Sequence, residues 1–94
     1  MDDARLKKLK FRAWRRGFRE ADLILGPFAD KYVRDFSPAE LDRFEALLEE
    51  PDQDLYAWIV GTLPTPAHWD GDLMNRIKAF RLEAHDYRGD ANGG

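Results

Sequence analysis

Arginines and carboxylates crowd around one glycine in the stretch Trp14-Arg15-Arg16-Gly17-Phe18-Arg19-Glu20-Ala21-Asp22. An arginine offers a rigid planar fork of donors to a carboxylate or a carbonyl, and glutamate and aspartate offer the matching acceptors. Gly17 between them permits a tight turn and the close approach of a second backbone. This is recognition chemistry, and it makes Arg15, Arg16, Gly17, Arg19, Glu20 and Asp22 the candidate binding surface for another protein. On local pattern alone an ordinary corner between two helices fits better, because such corners are common, with an Arg16–Glu20 or Arg15–Asp22 surface pair that contributes under about 1 kcal/mol.

Catalysis has little support. The chain has only two histidines, His68 in a loop and His85 beside Asp86 near the C-terminus, and no cysteine. Neither histidine has a second histidine or a cysteine four residues away, and no glycine-rich loop follows a strand to cradle phosphate. The expectation is therefore a chain with no catalytic residue, no metal ligand and no cofactor of its own. Without cysteine there is no disulfide framework, which suits a reducing compartment.

The elements that must position the glycine corner are helical. Over residues 3–16, Leu6, Leu9 and Ala13 recur at spacings of three and four with Trp14 beside them, and lysines and arginines fill the other faces. Gly17 is the natural residue just past that helix end, because glycine enters the left-handed conformation without penalty. A second helix is expected over about 18–35, with Leu25, Phe28, Tyr32 and Phe36 as its stripe, widened by Ile24 and Val33. Gly26-Pro27 interrupts it, which predicts either a kink or two abutting helices.

Ser37-Pro38-Ala39-Glu40 is a capping box with proline at the first helical position. It opens a helix to about residue 50 that buries Leu41, Phe44, Leu47 and Leu48, and Pro51 closes it. Asp52 is placed to cap a fourth helix, with Leu55, Trp58 and Ile59 inward and Gly61 at its end. Residues 62–71 read as a loop, and a fifth helix runs from about 72 to 87 on Leu73, Ile77, Phe80 and Ala84. No stretch alternates with period two, so the expected fold is all-α, one compact five-helix bundle with a flexible tail from about residue 88.

Charge is polarised along the chain. Residues 1–19 hold eight basic and two acidic side chains, whereas residues 20–94 hold seven basic and sixteen acidic ones, within a net charge of −3. Such asymmetry orients a domain in the field of a charged partner, although solvated faces would show it too. The basic first helix, with Phe11 and Trp14 interleaved, admits nucleic-acid binding as one reading. The acidic remainder opposes that reading by repelling phosphates. No apolar run approaches the roughly 20 residues that span a bilayer, and Asp2 and Asp3 argue against an organelle presequence. These features predict a bacterial cytoplasmic protein without membrane insertion.

The combination Trp14-x-Arg16-Gly17-x-x-Glu20-x-Asp22 followed by Pro27-Phe28 resembles the FAD assembly (flavinylation) factors of succinate dehydrogenase, the assembly factor 2 family, whose hallmark is Arg-Gly-x-x-Glu. The likeness continues through Phe44-x-x-Leu47-Leu48-Glu49 and Asp54-Leu55-x-x-Trp58, so it covers about residues 11–61 with order and spacing kept. It implies a small helical, non-enzymatic protein, a monomer when free. Such a protein binds the flavoprotein subunit of succinate dehydrogenase, and in some bacteria that of fumarate reductase. It promotes covalent attachment of FAD to that subunit, the FAD belonging to the partner. By the same resemblance Arg16, Gly17 and Glu20 lie at the interface, with Arg15, Arg19 and Asp22 flanking them. A generic helical interaction module is the alternative function.

Overall fold

Five α-helices without strands carry the described residues of the computed structural model, which describes the backbone of residues 3–93 and the side chains of residues 3–83. In chain order these are α1 (Asp3–Trp14), α2 (Arg19–Tyr32), α3 (Pro38–Leu47), α4 (Asp52–Val60) and α5 (Asp72–Gly93). Two 3₁₀ turns, Val33–Asp35 and Ala67–Trp69, join them. The all-α expectation holds.

The helices form where apolar spacing demands a shared core. Leu6, Leu9 and Ala13 of α1 are buried against α2, whose Leu25, Phe28 and Ala29 are fully enclosed. Phe28 is the hub: its ring lies 5.8 Å from Phe44 of α3, 5.8 Å from Phe80 of α5 and 6.2 Å from Phe36. Tilted and edge-to-face pairs at such distances add to what area burial alone supplies. Arg76 of α5 lies over the Tyr32 and Phe36 rings and reaches Glu40 Oε2 at 3.3 Å, tying α5 to α3.

Several boundaries differ from the sequence reading, each for a physical reason. α1 stops at Trp14, so Gly17, with φ of +107°, sits in the turn between the helices and not directly at the helix end. α2 is one helix with Pro27 inside it, not two abutting ones, and residues 33–35 tighten into a 3₁₀ turn. Gly26 has its own purpose: a Cβ there would fall inside the Trp14 indole, so its absence lets that ring lie on the α2 backbone. The indole is also held at its polar end, where Nε1 donates to Asp30 Oδ2 at 3.1 Å.

The capping box forms as expected. Ser37 N donates to Glu40 Oε1 at 2.7 Å, and Glu40 N donates to Ser37 Oγ at 3.2 Å. Asp52, by contrast, is the first residue of α4 and not its cap; that place is taken by Pro51. Gly61 ends α4 in the left-handed conformation, φ +89°, with its N–H on Ala57 O. Trp69, which falls in the expected loop, is buried, and its Nε1 donates to Glu50 Oε2 at 2.8 Å. α5 continues past Tyr87 to Gly93, and the side chains of Ala84, His85 and Asp86 lie outside the described residues.

Two outcomes test this packing. Gly26→Ala forces Trp14 off α2 and is expected to destabilise by about 1–3 kcal/mol, the usual cost of overpacking. Urea unfolding followed by tryptophan fluorescence checks it, and an unchanged midpoint would refute the contact. The second concerns acid. The Ser37 backbone N–H, aided by the charge of Arg76, holds the Glu40 carboxyl below the usual carboxylate range. The unfolded chain therefore takes up the proton first, so this contribution is full above the ordinary glutamate value and vanishes as pH falls through the depressed one. Glu40→Gln should accordingly lose less stability than the parent on acidification across that window, read from urea midpoints against pH.

Candidate partner-binding corner

The corner is built by one arginine. Arg16 is only 8% exposed, and it is the buried charged residue of the described chain. Its Nη1 donates to Leu48 O at 2.6 Å, and its Nη2 donates to Glu50 O at 2.9 Å and pairs with Asp52 Oδ1 at 2.8 Å. Leu48 and Glu50 follow the last turn of α3, where carbonyls lack helical partners and the helix dipole is negative. Asp52 opens α4. A single guanidinium thus bridges the end of one helix and the start of the next.

Asp22 completes the turn from the other side. Its Oδ1 accepts the Arg16 backbone N–H at 2.5 Å, which fixes the chain as it leaves α1. Gly17 is then pressed against the bridge: a Cβ at this position would come 2.5 Å from Asp52 Oδ2. Glycine is required here twice, for its positive φ and for the space that Asp52 fills. Beside it, Phe18 is half-buried, edge-on to Tyr56 at 5.1 Å. A shallow groove lined by Gly17, Phe18, Pro51, Asp52, Gln53 and Asp54 opens at this point.

The six residues named from sequence are therefore brought together, but in two layers. Arg15, Arg19 and Glu20 are exposed on the rim, and Gly17 is exposed between them. Arg16 turns inward, and Asp22 is half-buried beneath the rim. The idea that Arg16 offers its fork to a guest is corrected: the fork is spent on the protein's own carbonyls and on Asp52. The surface pairs Arg16–Glu20 and Arg15–Asp22 are replaced by Arg16–Asp52 and by the Arg16 N–H to Asp22 bond. Among the described residues, the side chains of Arg19 and Glu20 meet no hydrogen-bond or ion-pair partner, whereas Arg15 lies 4.6 Å over the Phe11 ring.

Asp52 and the carbonyls of Leu48 and Glu50 are parts of the corner that the sequence reading missed, because nothing local links residue 16 to residue 52. His68 is exposed, with Nε2 4.0 Å from Glu50 Oε2, and its carbonyl accepts from Arg43.

Removing the guanidinium strands two carbonyls and a carboxylate. Arg16→Ala is expected to cost about 2–4 kcal/mol, below the full penalty of a wholly buried pair because Asp52 is partly wet. Arg16→Lys, which cannot fork, should recover less than half of that in chemical denaturation. A loss under about 1 kcal/mol for Arg16→Ala would show that the bridge is ornamental.

Comparison with known proteins covers both blocks of the resemblance. A family model described as "Flavinator of succinate dehydrogenase" matches residues 7–81. A mitochondrial succinate dehydrogenase assembly factor 2 of Mycosarcoma maydis is 39% identical over 84 residues, covering 88% of this chain and 35% of that protein. The Scheffersomyces stipitis protein of the same name is 42% identical over 75 residues, covering 76% and 50%. That of Danio rerio is 34% identical over 80 residues, covering 83% and 51%. The chain thus spans about half, or less, of the length of these relatives. All three are named mitochondrial, which overturns the expectation of a bacterial cytoplasm. With a matched stretch that takes in Arg16, Gly17, Glu20 and the Asp52 bridge, the chain belongs to the family described as the flavinator of succinate dehydrogenase.

Proposed function

We propose that this chain is a non-enzymatic assembly factor that binds the flavoprotein subunit of succinate dehydrogenase and promotes covalent attachment of FAD to it. The observation that carries the reading is the division of the corner: a buried arginine bridge beneath, and Arg15, Arg19 and Glu20 exposed above it. Family membership supports the client, and the relatives are named assembly factors, not catalysts. The FAD is the partner's throughout.

The mechanism is selective binding. A rigid rim that fits one arrangement of the immature flavoprotein better than others raises the population of that arrangement. Each tenfold shift requires about 1.4 kcal/mol of differential binding. Interface hot spots of arginine type reach roughly 2–4 kcal/mol on truncation, so one or two rim contacts suffice. Glu20, as an acceptor, and Arg19, as a forked donor, can hold partner side chains while the flavin is attached. The same surface would serve the related flavoprotein of fumarate reductase where a cell makes one.

The test is co-expression of the chain with the flavoprotein subunit in cells lacking their own factor, reading flavin fluorescence that survives on a denaturing gel. Glu20→Ala is expected to slow covalent flavinylation at least tenfold. It should cost no more than about 1 kcal/mol of stability, the usual worth of an acidic group in the first turn of a helix. Equal losses in rate and stability would assign Glu20 to the helix and not to the partner.

A further inference from the structure

α1 sorts its cations by face. On the flank toward α3, Arg5 Nη2 lies 2.6 Å from Asp42 Oδ1 and 3.3 Å from Glu45 Oε1, and Arg12 lies 2.9 Å from Glu49 Oε2. On the outward face stand Lys7 and Lys8, with Arg15 directly past the helix end; all three are exposed, and among the described residues none of them pairs with a carboxylate. They surround Phe11 at one helical turn before and one after. Phe11 is 60% exposed, the most exposed of the large apolar side chains among the described residues. Trp14, 38% exposed, borders the same face and is pinned by Asp30.

This arrangement is held ready in the free protein. The Arg15 guanidinium sits over the Phe11 ring, which orients both groups before anything binds. The body of the domain carries a surplus of carboxylates, yet these three cations are not turned toward it. An aromatic standing in water inside a ring of cations asks for a cover that is apolar at its centre and acidic at its edge. The face also runs without a break into the rim through Arg15.

We infer that the outward face of α1, centred on Phe11 and ringed by Lys7, Lys8 and, just past the helix end, Arg15, is a docking surface for an acidic patch with an apolar socket on the client flavoprotein. The inference rests on the assembly-factor reading and adds where the client first engages and by what chemistry. Steering belongs to the cations, since complementary charge raises association rates steeply at low salt. Retention belongs to Phe11, because a buried aromatic anchor acts mainly on dissociation. A lipid surface fits less well: an interfacial helix needs a broad apolar face, and here Leu6, Leu9 and Ala13 are spent in the core.

The experiment measures association of the full chain with the purified flavoprotein subunit over a range of salt. The triple variant Lys7→Glu, Lys8→Glu, Arg15→Glu should lower the association rate constant at least tenfold at low salt and flatten its salt dependence. Phe11→Ala should speed dissociation about tenfold with little change in association. Circular dichroism should be unchanged in both, all four side chains being exposed. Wild-type rates in both variants, with Glu20→Ala still impaired in flavinylation, would overturn this surface and leave the corner standing. Failure of the unaltered chain to bind the flavoprotein would overturn the two together. Binding to anionic phospholipid vesicles that needs these residues, with flavoprotein association unaltered, would also overturn it by assigning the face to a membrane.

Discussion

The guanidinium of Arg16 is the constraint on which the arrangement of this small domain depends. Burying a cation is costly, and it is tolerated only when hydrogen bonds and an opposite charge replace the lost water. Here the replacements come from the places where a helical protein has acceptors to spare: the carbonyls after α3 and the carboxylate at the start of α4. A cation at a helix C-terminus and an anion at a helix N-terminus are each favourable by themselves. Arg16 joins both effects in one group, and so turns the α3–α4 junction into an anchor for the α1–α2 corner. Among the described residues, the Nε of Arg16 is the one buried side-chain polar atom without a partner.

Two glycines let that anchor close. Gly17 leaves room for Asp52, and Gly26 leaves room for Trp14. Between them they set how α1 lies on α2, because one fixes the connecting turn and the other the depth of contact a turn and more away. The core then needs nothing unusual: Phe28 gathers rings from the 3₁₀ turn region, α3 and α5, as any apolar centre of a helical bundle would. The specific information lies at the edge of the core, in polar groups that must meet their partners.

That division explains what could be read from sequence. Helix identity followed from spacing, so Leu25, Phe28, Phe44, Leu55 and Ile77 are buried as expected. The Ser37 cap followed from four consecutive residues, and short-range chemistry of that kind is legible without coordinates. Trp69 escaped because it lies among prolines in a stretch with no helical period, and its burial depends on Arg43 and Glu50, remote in sequence. Gly26-Pro27 was read as an interruption of the helix, whereas Gly26 answers to Trp14, a residue of another helix. The direction of Arg16 was illegible for the same reason: a forked donor beside a glycine suits an exposed clamp and a buried staple equally, and only residues 48–52 decide between them.

The Arg-Gly-x-x-Glu pattern therefore joins two kinds of demand in one turn. Arg16 and Gly17 answer to the interior, since each is defined by Asp52. Glu20 answers to the exterior, since its carboxylate meets water alone among the described residues. Three residues after Gly17 on the new helix, Glu20 takes its direction from the turn that the buried pair imposes. The backbone of a rim held this way loses little conformational entropy when a partner covers it, and pre-organisation of that sort favours affinity by lowering the cost of association. The same logic extends along α1, where Arg5 ties the helix to α3 and Arg12 ties it to Glu49 just beyond α3, while Lys7, Lys8 and, past the helix end, Arg15 stand outward. In both places one set of charged groups fixes the scaffold so that the neighbouring set can be presented in a fixed direction. Losing an inner group should therefore disturb function through the fold, whereas losing an outer one should disturb it directly.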